Sequence, residues 1–218
     1  MQKDIAVVTG ASKGIGFEIA RKLSAKFTVC TLSRTRANYW YKYCDITDSM
    51  QVEEAFEAIK KTLGIPKILI NCAGYVEPKS ILETSSEDWI KTIDTNLTGV
   101  FYCVKEFIKY NKTGGRIVNI ASTSGQRPSP GWAAYGAAKA GVINFSQSLS
   151  EELKPYGIRV YCVCPGRCAT ELRRKLAPDE DQSRIMQPGE VADFVYYLVS
   201  EDKILDSQTL IVKKNIGG

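Results

Sequence analysis

The chain has 218 residues, 44% of them hydrophobic and 24% charged, with a formal net charge of +5. This length suits one domain with a sizeable core, and the composition is that of an ordinary globular protein. The positive charge is scattered, without a basic block or aromatic–basic interleaving, which argues against nucleic-acid binding, and no run of about 18 apolar residues exists to cross a membrane.

Apolar runs and helical patterns alternate along the whole chain. Residues 5–8 predict a first strand, followed by a helix after Gly14 with Ile15, Ile19, Ala20 and Leu23 on one face. Residues 28–32 predict a second strand. Residues 34–44 are too few for a full crossover helix before the strand-like 41–44, so a loop or single turn is expected there. Val52, Ala55, Phe56, Ile59 and Leu63 mark a helix, residues 67–70 a strand, and Trp89 through Val104 one long helix. A strand over 117–120, a helix over about 135–154, a strand over 159–163, a helix over 191–199 and a strand over 209–212 complete the series. Continuous apolar strands separated by helices predict an α/β fold: a Rossmann-type doubly wound parallel sheet with helices on both faces. No linker, repeat or low-complexity tract interrupts residues 1–218, so one domain is expected.

The seven cysteines, Cys30, Cys44, Cys72, Cys103, Cys162, Cys164 and Cys168, fall mostly in apolar runs and read as buried thiols of a reducing compartment. Cys162, Cys164 and Cys168 lack a histidine to complete a common ligand set, so no metal is expected. The apolar stretch after Asp4 meets Thr9-Gly10 too early for a signal peptide, which points to a cytoplasmic protein. The chain contains no histidine at all. Ser-His-Asp and Cys-His chemistry is thereby removed, and acid–base work near neutral pH falls to a carboxylate, lysine, cysteine or tyrosine with a displaced pKa.

Between the first strand and the first helix runs Gly10-Ala11-Ser12-Lys13-Gly14-Ile15-Gly16. Glycines there let the backbone turn sharply and approach a pyrophosphate, while the helix offers free N–H groups and its positive dipole end. The spacing departs from the commoner dinucleotide fingerprint. Further on, Tyr135 and Lys139 stand four apart on a predicted helix and so share a face. A nearby ammonium favours a phenolate and is expected to lower the tyrosine pKa from about 10.

These elements are joined in order by Cys44-Asp45-Ile46-Thr47, Asn71-Cys72-Ala73-Gly74, Asn96, Ser122, Tyr135-Gly136-Ala137-Ala138-Lys139, and Pro165-Gly166 with Thr170. In that order they resemble the short-chain dehydrogenase/reductase family, and within it the 3-oxoacyl-[acyl-carrier-protein] reductases and related ketoreductases. The resemblance implies hydride transfer between a nicotinamide and a carbonyl or secondary alcohol carbon. It implies Tyr135 as proton donor, Ser122 as a hydrogen-bond partner of the substrate oxygen (with Ser124 nearby as an alternative), and Lys139 holding both the phenol and the nicotinamide ribose. Asn96 would hold a water in a proton relay. Gly10, Ser12, Lys13, Gly14, Ile15 and Gly16 would cradle the cofactor. Asp45 and Ile46 would meet the adenine, Asn71, Ala73 and Gly74 would lie beneath the adenosine, and Pro165, Gly166, Cys168 and Thr170 would meet the carboxamide.

After the second strand, NAD-binding relatives carry an acid where this chain has Ser33-Arg34-Thr35-Arg36. A carboxylate would repel a 2′-phosphate and an arginine can grip it, so Arg34 with Lys13 points to NADP(H). The segment 167–188, which in the family shapes the substrate pocket, is short here and holds Arg173, Arg174 and Lys175. Carrier-protein reductases also place arginines where this chain has Thr113 and Tyr156. The substrate expected is a small-molecule or carrier-bound carbonyl compound. A sugar or polyol dehydrogenase is the second reading, and a catalytically silent NADPH-binding regulator the third. The family resemblance further implies a homodimer or homotetramer through the helices near Trp89 and Tyr135.

Overall fold

A computed structural model describes residues 3–200, 205 and 209–214. Among the described residues, seven strands form one sheet: β1 (Ile5–Thr9), β2 (Thr28–Ser33), β3 (Trp40–Tyr43), β4 (Ile68–Asn71), β5 (Gly115–Ile120), β6 (Ile158–Pro165) and β7 (Thr209–Val212). Their order is β3-β2-β1-β4-β5-β6-β7, and every described pairing is parallel. The expected doubly wound sheet is therefore present. The direction of winding reverses between β1 and β4, so the crevice at their carboxyl ends is where a ligand of such a fold binds.

Alternation along β1 shows how both faces are buried. Ile5 and Val7 join one apolar layer with Val52, Phe56 and Ile59 of α2 (Ser49–Thr62), Val100 and Phe107 of α4 (Gly99–Tyr110), and Val142 and Leu149 of α5 (Ala133–Glu152). Ala6 and Val8 join the other, with Ile19 and Leu23 of α1 (Gly14–Leu23) and Val195 and Leu198 of α7 (Pro188–Ser200). Successive strand residues point to opposite faces, and burying each on its own layer keeps water from both faces of the central strands.

The long helix expected through Trp89 and Val104 is divided. It comprises α3 (Ser86–Ile93) and α4, joined by one wide π-turn over Asp94–Thr98. Such a turn adds a residue without ending the helix, so the apolar periodicity continues through it. The segment before β3 is a loop without a crossover helix, and Tyr39 there takes a left-handed φ of 72°. Beyond β6, the short helix α6 (Glu171–Leu176) forms part of an excursion that returns beside its own start. Cys168 and Met186 form a parallel bridge, the Met186 N–H donates to the Arg167 carbonyl at 3.2 Å, and the Ala169 N–H donates to Met186 at 2.7 Å.

Candidate active site

A cleft of about 840 Å³ opens at the carboxyl ends of the strands. One half is lined by the glycine turn (Gly10, Ser12, Lys13, Gly14, Ile15, Gly16), by Arg34, Asp45 and Ile46, and by Ala73 and Gly74. Ser122, Tyr135, Lys139, Pro165, Gly166, Cys168 and Thr170 line it further along. All the residues expected at the site are thus gathered on one cleft except two, Asn71 and Asn96, which lie behind its wall.

The glycine turn fits a dinucleotide. Gly10 has φ +67°, and a Cβ there would stand 2.6 Å from the Ala73 Cα; a Cβ on Gly16 would collide with the Gly10 carbonyl. Only bare backbone lets the turn, the 72–74 loop and α1 come this close. By contrast with α2, which Asp48 caps, and α3, which Ser85 and Asp88 cap reciprocally, α1 has no side-chain cap and no acid in its first turn. Its first N–H groups therefore remain available to an anion. The buried Thr9 hydroxyl fixes the opposing wall by accepting from the Cys72 and Ala73 N–H groups at 3.0 and 3.1 Å. Sequence reasoning missed this role of Thr9, whose only signal was a polar residue closing an apolar strand.

Asn71 ends β4 with its side chain turned under the sheet. Its Nδ2 donates to Asn119 Oδ1 at 2.8 Å, Asn119 Nδ2 donates to the Ser146 hydroxyl at 2.9 Å, and that hydroxyl donates to the Val142 carbonyl at 2.7 Å. Its expected place beneath the adenosine is corrected accordingly: strand alternation points Asn71 inward, away from the cleft. Asn96, fully buried in the π-turn, donates to the Tyr75 carbonyl at 2.6 Å and the Thr92 carbonyl at 2.9 Å, and accepts from the Tyr75 N–H at 3.3 Å. Its amide thus pins the loop carrying Gly74 and Tyr75.

Ser122 follows β5 and starts a tight turn in which its hydroxyl accepts from the Ser124 N–H at 3.1 Å. That turn is pressed onto the tyrosine helix: a Cβ on Gly125 would lie 2.6 Å from the Lys139 backbone, and one on Gly136 would lie 3.1 Å from the Ser124 carbonyl. The two glycines thereby set the spacing between serine and tyrosine. Trp132 stacks edge-on against Tyr135, with ring centroids 5.7 Å apart, and fixes the phenol's orientation. Nothing in the helical period singled out Trp132.

Lys139 is 4% exposed, and its Nζ donates to the Ile120 carbonyl at 2.8 Å and lies 5.6 Å from the Tyr135 ring centroid. Burial lowers its pKa to about 8. The Tyr135 phenol moves opposite to expectation: burial pushes it up to about 12, and the hydrogen bond with Ser122 only partly offsets this. The expected lowering by the ammonium is therefore corrected. Desolvation dominates the shift, and the phenol stays protonated at neutral pH, ready to donate. Burial likewise pushes the Cys72 thiol, on the same cleft, up to about 12, so it is a poor nucleophile.

Along the cleft, Arg34 pairs with Asp45 at 3.6 Å, and Lys13 pairs with Glu171 of α6 at 3.4 Å. Both cations are largely exposed, so these pairs are weak and exchangeable. Thr170 caps α6, its hydroxyl accepting from the Arg173 N–H at 3.1 Å, and its methyl faces Gly14.

A doubly wound sheet with a dinucleotide cradle and a Ser-Tyr-Lys group at its rim, its lysine buried, defines a nicotinamide-dependent oxidoreductase. Residues 4–181 match the family described as short chain dehydrogenase. The chain is 34% identical over 224 residues to a 3-oxoacyl-[acyl-carrier-protein] reductase of Haemophilus influenzae, covering 93% of each. It is 32% identical to the solved actinorhodin polyketide ketoreductase with NADPH, with a TM-score of 0.88 over 97% of both chains. It is 31% identical to the aldohexose dehydrogenase of Thermoplasma acidophilum, with a TM-score of 0.89 over 97% of this chain and 92% of the other. The chain belongs to the short-chain dehydrogenase/reductase family, oxidoreductases that act on C=O and CH–OH groups.

Proposed function

We propose that the protein is a cytoplasmic, NADPH-dependent reductase of 3-oxoacyl-type ketones, with residues 1–218 acting as one domain. The observation that carries this reading is Ser122, Tyr135 and Lys139 gathered on one cleft with the glycine turn. When bound, the nicotinamide supplies hydride to the carbonyl carbon. Ser122 and Tyr135 donate hydrogen bonds to the oxygen as negative charge develops there, and Tyr135 gives up its proton. Lys139 holds the ribose side and stabilises the resulting phenolate, and Asn96 positions the 74–75 loop. The test is a panel of carbonyl compounds with NADPH, followed at the nicotinamide absorbance. A 3-oxoacyl thioester is expected to be reduced with higher kcat/KM than aldoses are oxidised; the reverse order would favour the sugar dehydrogenase reading, which the likeness to the aldohexose enzyme supports. No turnover of any carbonyl compound, with NADPH still bound, would favour the silent regulator.

Arg34 and Lys13 are the groups that would meet the 2′-phosphate. NADPH is expected to bind at least about tenfold more tightly than NADH, a preference that Arg34→Asp erases while sparing NADH. Fluorescence titration with both cofactors measures this, and equal affinity in the wild type would sink the assignment.

Lys139 sets a pH dependence. Its ammonium persists below about pH 8 and is lost as pH rises through that value. NADPH affinity is expected to hold steady from about pH 7 and to fall above pH 8, because the neutral amine grips the ribose less well. Lys139→Met should remove the limb. A limb persisting in the variant would assign it elsewhere. The exposed Trp89, Ile90 and Phe101 on α3 and α4 support association of copies through this face, as a dimer or tetramer that light scattering would weigh.

A further inference from the structure

Beyond the cofactor's half, the cleft is lined by Tyr75, Val76, the 123–132 turn and the excursion after β6. Of the three adjacent cations noted in the sequence, the structure separates one from the others. Arg173 lines the cleft; Arg174 and Lys175 do not, and Lys175 is paired with Glu171 at 2.7 Å. Arg173 is joined there by Arg167, from the start of the excursion. One carboxylate braces both: Glu180 accepts from Arg167 Nη1 at 2.8 Å and from Arg173 Nε and Nη2 at 2.5 and 3.0 Å. Glu180 itself is not part of the cleft lining, and its side chain is only 14% exposed.

The brace leaves two things unspent. Two guanidinium groups share one carboxylate, so the group carries a net positive charge at the cleft wall. Each guanidinium has five N–H donors, and Glu180 occupies one donor nitrogen of Arg167 and two of Arg173. Arg167 is also held through its backbone, because the excursion closes on it at Met186. A pair of planar forks fixed from behind by a part-buried acid is preorganised to take a second anion from the front. We propose that Arg167 and Arg173 form an anion subsite, and that the carbonyl compound reduced here bears an acidic group, carboxylate or phosphate. This rests on the reductase reading above.

The test compares matched ketones with NADPH: 3-oxobutanoate against its ethyl ester, and dihydroxyacetone phosphate against dihydroxyacetone. The acidic member of one pair is expected to have at least about tenfold higher kcat/KM, and the pair that shows it tells carboxylate from phosphate. Arg173→Gln and Arg167→Gln should each cut that acidic-to-neutral ratio about tenfold, mainly through KM, while Arg174→Gln keeps the wild-type ratio. Equal use of acidic and neutral members by the wild type would overturn the subsite. So would equal losses on both members in the variants, which would make the arginines a brace of the fold alone. If no ketone is reduced, the reductase reading fails, and calorimetric titration with malonate and inorganic phosphate decides the subsite by itself. Binding that Arg173→Gln abolishes upholds it, and absence of binding to the wild type overturns it.

Discussion

Tyr135→Phe is expected to lower kcat by about a hundred- to a thousandfold while NADPH binds almost as before. The substitution deletes one hydroxyl and keeps the ring, so the edge-on packing against Trp132 survives. What is lost is a proton donor and one of two hydrogen bonds to the developing oxyanion. Ser122 remains, braced by the Ser124 N–H, and accounts for the residual rate. The groups proposed to grip the cofactor, the glycine turn, Arg34 and Lys139, are untouched. Steady-state rates beside a cofactor titration measure both sides. Turnover near that of the wild type would remove the tyrosine from the mechanism. The Cys72 thiol is a poor substitute, since burial holds it protonated.

Gly10→Ala is expected to damage both stability and cofactor binding. Two costs coincide there: a left-handed backbone with φ +67°, and a Cβ forced to 2.6 Å from the Ala73 Cα. Strain and crowding together should remove roughly 2–5 kcal/mol of folding stability. NADPH affinity should fall at least about a hundredfold as the 72–74 wall is displaced. Gly131 separates the two costs. It also has a left-handed φ, +77°, yet a Cβ there would meet nothing within 4 Å. Gly131→Ala should therefore cost only about 1–2 kcal/mol. Urea unfolding of both variants tests the difference; equal losses would show that conformation alone, and not close approach, demands glycine at position 10.

Much of this was legible in the sequence because it depends on local rules. The switch from an apolar strand to a helical period across Gly10–Gly16 marks the cradle, and the four-residue step from Tyr135 to Lys139 puts both on one helix face. What escaped depends on distant partners. The π-turn at Asp94–Thr98 leaves no trace in a periodicity it merely shifts. Glu180 gains its meaning from two arginines that the chain brings back to it. The sign of the Tyr135 shift is not legible in the sequence, because the spacing of a lysine says nothing about how thoroughly the phenol is desolvated. Asn71 sits within a run that resembles a cofactor loop, and only the register of β4 decides that its amide faces inward.

That register has a further meaning. The strands of this sheet are apolar on both faces, so sliding one past its neighbour would cost little in hydrophobic contact. Asn71 and Asn119 stand directly opposite each other on β4 and β5, the second tied on to Ser146 of α5. Slippage by one place would part the Asn71 amide N–H from the Asn119 oxygen, at about 1–3 kcal/mol for each orphaned group. The polar pair acts as a dowel between otherwise interchangeable planks. Because Ala73 and Gly74 leave the end of β4, and Ser122 leaves the end of β5, that dowel also levels the two walls of the cleft against each other. It further joins them to the helix that carries Tyr135.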